Sequence, residues 1–553
     1  MRGHAHATTL RPLAADETRC LRQPEPADAA GSRGTRTLMQ MRRVALVAAA
    51  AVLLASCSGG DSEPAVIARD VTGLTNPPSP AVTAPGVTPT PEAPESVEPL
   101  DYSIEWTPLN DRVDEGWITV PVDYADPQGE TIDLYVARHR ASGEAVGPML
   151  ANRGGPGAEG GSLARNASGY FDDDITDNFD VIGWDPRGTG RSEGAVDCVD
   201  DDEHDQFFAN YDVTPDDDAE RQEIIDRARE FAERCIERVE HLQYVGTNNS
   251  ARDIDAIRQA LDADQISYFG FSYGSELGGV WATLFPTSVR AAVFDGATDP
   301  TAEPLEVSLQ QGAGFEAALD TFLARCSADD DCAFHNDGDA EGAYDRLMVQ
   351  LDESPLPSAN GRPPVDRGIA AIATSQAMYD EQYWPAFERA LEDAAVGDGA
   401  GLLQLNDAYY ERRADGSYGG LLEAFQAINC ADADERPTIE EADADVEAVL
   451  EVAPRIFPYT TGSYTCTFFP PAVDPRIDIT GEGAGPIVVI GTTGDAATPL
   501  ESSRMMADTL EDGRFVIVEA NRHTGYLGDA CVRGIVHDYL LQLAAPDDGK
   551  RCS

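Results

Sequence analysis

The sequence predicts an α/β fold, a mostly parallel central sheet with a helical block inserted in it. Three observations predict it. Strand and helix signals alternate from about residue 117 to 294, strand signals fade from about 301 to 426, and the alternation resumes beyond Cys430. Alternating strands and helices bury both faces of a parallel sheet, and a purely helical interruption adds a layer outside it.

The elements follow in order. Trp117–Tyr124 and Thr131–Arg138 alternate apolar and polar residues, and Asp126-Pro127-Gln128-Gly129 reads as the turn between two strands. Met149-Leu150-Ala151 is a short strand running into Gly154-Gly155-Pro156-Gly157, and Phe179–Trp184 is another, running into Asp185-Pro186-Arg187-Gly188-Thr189-Gly190. Over 219–242, Ile224, Ala228, Phe231, Cys235, Val239 and Leu242 form one stripe at helical spacing. Asn249 and Ser250 are candidate caps for a helix carrying Ile254, Ile257 and Leu261. Ile266–Phe271 reads as a strand, Tyr273–Phe285 as a helix and Ala291–Phe294 as a strand. The helical block contains Val307–Cys326, Ala343–Leu351, Ala386–Ala395 and Leu421–Ile428. Beyond it come strand Pro486–Gly491, helix Ser502–Leu510, strand Phe515–Glu519 and helix Val532–Leu543.

Charge excludes several functions. Forty Lys+Arg against 98 Asp+Glu leave a net charge of −58 over 553 residues, so no basic stripe is available for nucleic acid. Lys550 is the single Lys, three residues from the end, which leaves no phosphate-loop or Schiff-base lysine. The acid runs 172–174, 200–203, 216–218 and 329–331 read as solvated loops.

The N-terminal part reads as an address. Residues 1–38 lack apolar periodicity, Met41-Arg42-Arg43 is a short positive region, and Val44–Ala55 is an apolar run of twelve. Twelve residues make a helix of about 18 Å, too short for a ~30 Å hydrocarbon core, so this is a secretory signal peptide. Leu54-Ala55-Ser56-Cys57 resembles a bacterial lipobox, which implies lipidation of Cys57 and anchoring of the exported protein on the outer face of the cell membrane; the alternative is an ordinary secretory signal with a coincidental Cys and a secreted protein. The expected organisation is an extension with signal peptide (1–57), a stiff Pro/Thr/Ser-rich linker (58–100), the first part of the α/β core (101–300), a helical cap (301–426) and the rest of the core (427–553). Without Cys20 and Cys57 eight cysteines remain, an even number that reads as disulfides in an exported chain. The simplest pairing is sequential: Cys198–Cys235, Cys326–Cys332, Cys430–Cys466 and Cys531–Cys552. No metal-ligand spacing is present, and no metal or cofactor is expected.

Three residues carry the chemistry. Gly270-Phe271-Ser272-Tyr273-Gly274 is G-x-S-x-G between a strand and a helix, the turn that lifts a serine hydroxyl clear of the backbone. A serine is a poor nucleophile without a base beside it. Asp495 follows strand Pro486–Gly491 and His523 follows strand Phe515–Glu519, in the order Ser…Asp…His of α/β-hydrolases. His537 also follows Asp495 but sits mid-helix and reads as structural. For the oxyanion, one N–H is expected from Tyr273 and the other from Gly155, since Pro156 has none.

Together these motifs resemble the prolyl and tripeptidyl aminopeptidase branch of the α/β-hydrolases, most of all the exported tripeptidyl aminopeptidases of actinobacteria. The matching segments are Gly154–Gly157, Phe179–Ser192, Gly270–Gly278, Ala427–Asp432 and the loops of Asp495 and His523. The resemblance implies a hydrolase core with an inserted helical cap and removal of residues from free peptide N-termini. It also implies acids that bind the substrate amine, for which Asp432 and Glu159 are the candidates. Arg153 departs from the pattern, because prolyl iminopeptidases commonly carry His there. Two other readings use the same residues: a carboxylesterase or lipase on the same triad, and a non-catalytic substrate-binding lipoprotein with a relic triad.

Overall fold

The computed structural model describes residues 101–553, apart from 210–211, 216, 359–360 and 457–461. The expected signal peptide, Cys57 and the linker lie outside the described residues. Ten strands form one sheet: β1 (Thr107–Pro108), β2 (Val113–Pro121), β3 (Thr131–His139), β4 (Gly147–Asn152), β5 (Phe179–Trp184), β6 (Ile266–Phe271), β7 (Val289–Asp295), β8 (Ile487–Thr492), β9 (Gly513–Val518) and β10 (Lys550–Cys552). Their order is β1-β2-β3-β5-β4-β6-β7-β8-β9-β10. β1, β2 and β3 pair antiparallel, as do β3 and β5, and every pairing from β5 to β10 is parallel.

The pattern of side chains follows from this layering. β6 and β8 are buried at every position, as strands covered by helices on both faces must be, and their sequences are correspondingly continuous in apolar residues. On one face Tyr268, Trp281, Phe294 and Phe231 share a core, and on the other Met149, Phe269, Val293, Val516 and Tyr539 do. Because β4 through β9 run parallel, Asn152, Phe271, Asp295, Thr492 and Val518 all end at the same edge of the sheet. Ligand sites in such sheets form there.

The D-P-R-G run after β5 is an anchor in the core. Arg187 is buried, grips both oxygens of Asp253 at 2.8 and 2.7 Å, and donates to the carbonyls of Val122 and Pro121. Among the described residues four disulfides join eight cysteines in sequence order: Cys198–Cys235, Cys326–Cys332, Cys430–Cys466 and Cys531–Cys552.

Three features differ from the sequence expectation. The helical segment does not stop at 426: helix Leu421–Asp432 straddles that point, and Ile439–Val452 and Gly462–Phe468 follow before β8. Its first part has a core of its own around Phe315, Leu319, Phe322, Trp384 and Phe387, which also takes in Ala496 and Ala497 beside Asp495. The helix expected after Asn249 and Ser250 begins at Thr247, and those two residues are buried in its first turn rather than capping it. The cap comes from afar, since the Asp432 carboxylate accepts the N–H of Thr247 at 2.6 Å. A carboxylate at a helix N-terminus is favourable because unpaired N–H groups converge there. Finally, β10 pairs with β9 although its three residues show no strand signal, and Cys552 within it is bonded to Cys531.

Candidate active site

The turn after β6 carries the first candidate. Ser272 has φ 55° and ψ −129°, a conformation costly for a residue with a Cβ, and it leads straight into helix Tyr273–Leu284. Its N–H donates to the Asp295 carbonyl at 2.9 Å, and its carbonyl accepts from the Ser275 N–H at 2.8 Å and Oγ at 2.6 Å. A Cβ on Gly270 would lie 2.2 Å from the Gly274 carbonyl oxygen, and one on Gly274 would lie 2.9 Å from that of Asn152. Both glycines of the motif are therefore steric requirements of the turn.

Asp495 and His523 meet in the loops after β8 and β9. His523 Nδ1 lies 2.9 Å from each Asp495 oxygen. The buried carboxylate also accepts from the N–H groups of Ala497 (3.0 Å), Thr498 (2.8 Å) and Thr524 (3.3 Å) and from Thr498 Oγ1 (3.1 Å). Surrounded by donors, it accepts a hydrogen bond from the imidazole N–H at Nδ1 and leaves Nε2 as the basic lone pair. Nε2 is buried and bonded to no side chain or backbone group among the described residues, Ser272 included. Catalytic bonds of this kind tighten when substrate arrives. Burial acts to lower the His523 pKa, but the Asp495 charge and hydrogen bond, with the Asp295 charge behind them, outweigh it and hold the group above its ordinary value.

The turn after β4 faces the same elbow. Gly154 has φ +92°, and a Cβ on it would lie 2.5 Å from the Phe271 carbonyl oxygen and 2.8 Å from Ser272 Cβ. The Gly154 N–H is committed to Asn152 Oδ1 at 2.8 Å, so it is not available to an oxyanion, whereas Gly155 is the next residue along. Arg153 pairs with Glu411 at 3.0 Å, and Glu159 with Arg413 at 3.4 Å, two contacts of opposite polarity between this turn and the helical segment.

Asp432, the other amine candidate, is tied to Thr247 through its N–H and its hydroxyl, and the Thr247 hydroxyl meets Tyr273 Oη at 2.5 Å. Burial, with Glu276 close by, pushes its carboxyl up to about 7 against the pull of the Thr247 bonds and Arg476. His537 stands away from Asp495, between Asp172 (3.0 Å) and Asp174 (3.3 Å). The 172–174 acids are thus partly engaged rather than only solvated, while 329–331 are exposed.

Two contributors escaped the sequence reading. Thr498 Oγ1 touches both Asp495 and His523 Nδ1, the latter at 3.2 Å. Tyr379, in the helical segment, accepts the His523 N–H on its carbonyl at 2.7 Å and sets its ring edge-on to the imidazole, centroids 5.6 Å apart. Asp380 and Arg522 form an antiparallel bridge beside it. An available signal for Thr498 was its position three residues after the acid; Tyr379 acts through a backbone oxygen and has none. A cavity of about 440 Å³ borders Asp495, Gly314, Trp384 and Ser502, and neither Ser272 nor His523 is among its walls.

A strained serine after β6, with a buried Asp495 bonded to a partly buried His523 at the same sheet edge, defines a serine hydrolase. The chain belongs to the α/β-hydrolase fold family, whose model matches residues 147–530. It is 32% identical over 484 residues to the serine protease Hip1 of Mycobacterium tuberculosis, covering 82% of this chain and 91% of that one. It is 34% identical over 455 residues to carboxylesterase B of the same organism, covering 79% and 85%. It is 29% identical over 471 residues to the tripeptidyl aminopeptidase of Streptomyces lividans, covering 80% and 83%. The resemblance read from the motifs is thereby borne out, and with it a serine peptidase of the α/β-hydrolase fold.

Proposed function

We propose that the protein is an exported peptidase that cleaves near the free N-termini of peptides through an acyl-enzyme on Ser272. The observation that carries this reading is the Asp495–His523 pair at the same sheet edge as the Ser272 elbow, with Tyr379 of the helical segment laid against the base. Ser272 Oγ attacks the scissile carbonyl while His523 Nε2 takes its proton. Asp495 holds the tautomer and stabilises the imidazolium that forms. The N–H groups of Gly155 and Tyr273 receive the oxyanion. His523 then protonates the leaving amine, and water, activated by the same base, releases the acyl group.

The helical segment supports exopeptidase action because it reaches both catalytic loops, through Tyr379 and through Glu411 on Arg153. A cleft roofed on one side measures distance from a chain end. Asp432 and Glu159 are the acids proposed for the substrate amine: the first reaches Tyr273 through Thr247, and the second follows the Gly154–Gly157 turn. Export rests on the signal-like segment and the paired cysteines, and anchoring rests on the lipobox Cys57. Mass analysis of products from a panel of unblocked peptides tests this reading. One to three residues released from the amino end are expected, and internal cleavage refutes it.

A second reading, a carboxylesterase on the same triad, is favoured by the likeness to carboxylesterase B. Comparing an aminoacyl anilide with a short acyl ester separates the two. The third reading, a substrate-binding lipoprotein with a relic triad, is disfavoured by the intact hydrogen bonds of Asp495 and His523.

A further inference from the structure

Asp295 ends β7, between the nucleophile's strand β6 and the acid's strand β8, and it is fully buried. Its carbonyl accepts the Ser272 N–H at 2.9 Å, the bond that fixes the strained turn from the side of β7. Its carboxylate accepts two N–H groups of the loop just after the base, Gly525 at 2.7 Å on Oδ1 and Tyr526 at 2.8 Å on Oδ2. The next residue, Gly296, has φ +67°, and a Cβ there would lie 3.0 Å from His523 Cε1 and 3.2 Å from Nδ1. The chain therefore turns directly against the imidazole. One residue thus holds the backbone of Ser272 with one group and the loop of His523 with another.

A buried carboxylate is expensive, and a neutral residue would cost less if only packing were needed. The charges facing Asp295 are those of His523 and Asp495, the first favouring its ionised form and the second opposing it. Burial raises its carboxyl to about 6 although the two loop N–H groups, one on each oxygen, pull it down and favour the ionised form. That charge also acts on His523, favouring the imidazolium that forms when the serine proton is taken.

We propose that Asp295 is a positioning residue for the reaction: it locks the nucleophile and base loops in one register and places a second negative charge beside the imidazole. This rests on the assignment of Ser272 and His523 as nucleophile and base. Asp295→Asn keeps the shape, removes the charge and turns an NH₂ toward Gly525 or Tyr526. Losing one charge-assisted bond predicts a fall in kcat of about ten- to hundredfold. KM should change little, because the residue touches no substrate. The acid limb of the kcat/KM profile should move to lower pH, because the loss of negative charge lowers the His523 pKa. Asp295→Glu keeps the charge but displaces it by a methylene, so it should lose rate with the limb unmoved, and if Asp295→Asn does not fold an undiminished kcat here still overturns the proposal. Undiminished kcat in either folded variant overturns the proposal, as does a rate loss in Asp295→Asn with an unmoved limb, which a purely structural role would give. Ser272→Ala is assayed alongside. An active Ser272→Ala enzyme defeats the assignment of the nucleophile, whereas an inactive one with an unimpaired Asp295→Asn defeats only the role of Asp295.

Discussion

Replacing Gly154 by Ala adds one methyl group at the point where the turn after β4 meets the nucleophile. The new Cβ would lie 2.5 Å from the Phe271 carbonyl oxygen, 2.8 Å from Ser272 Cβ and 3.2 Å from the Tyr273 nitrogen. An ordinary C···O contact is about 3.3 Å, so the two backbones must part by roughly 0.8 Å. No flexible side-chain end can give way, because the first contact is backbone and the second is the nucleophile itself. The φ of +92° adds strain of roughly 1–2 kcal/mol for an L-residue. With overpacking of about 1–3 kcal/mol, the expected loss of stability is roughly 2–5 kcal/mol. A shift near 1 Å between the reacting groups costs about 10²-fold in rate. Urea unfolding followed at equilibrium, and kcat on a peptide substrate, measure the two effects. Gly534→Ala is the control: it lies in helix Ala530–Gln542, meets nothing within 4 Å, and should gain about 0.5–1 kcal/mol with unchanged activity. A Gly154→Ala enzyme with wild-type stability and rate would refute the close approach of the two loops.

Asp495→Asn should lower kcat/KM by about three to four decades, because its amide cannot satisfy the ring of donors and no longer stabilises the imidazolium; a loss below tenfold on steady-state assay contradicts that role. The pH profile of kcat/KM should show an acid limb above 6.5, since His523 is held above its ordinary value and its protonated form cannot accept the serine proton. A limb below 6 would mean that burial outweighs the two acids. Arg187→Ala leaves the Asp253 charge buried with only the Tyr124 hydroxyl on it and should cost about 3–5 kcal/mol in urea unfolding.

What could be read from the sequence depended on range. Ser272, Asp495 and His523 each follow an apolar run that is legible in a few residues, so their place at the strand ends could be inferred without knowing the contacts. Strand β10 could not, because three residues carry no period and its pairing depends on β9 and a distant cysteine. The start of helix Thr247–Ala260 was misplaced because its cap, Asp432, lies 185 residues away. The end of the helical segment was misplaced for a related reason. Ile439–Val452 buries only Ala442, Val446 and Val449, a weak stripe that resembles a polar connection. Tyr379 and Asp295 were illegible because each acts on the catalytic loops through hydrogen-bonding groups that any strand or helix end might offer. Their meaning comes only from what the topology sets beside them.

In the proposed function Ser272 hydrolyses peptides recognised by a free amino terminus. The most direct measurement is kcat/KM for one good peptide substrate and its N-acetylated form, with Ser272→Ala as the baseline. A charge-assisted contact to the amine is worth about 1.5–3 kcal/mol, which is about ten- to hundredfold in rate. Acetylation also adds bulk at the amino end, so a loss at least that large is expected, with no turnover above about 10⁻³ of wild type by Ser272→Ala on either peptide. Equal rates on the free and acetylated peptides would contradict it.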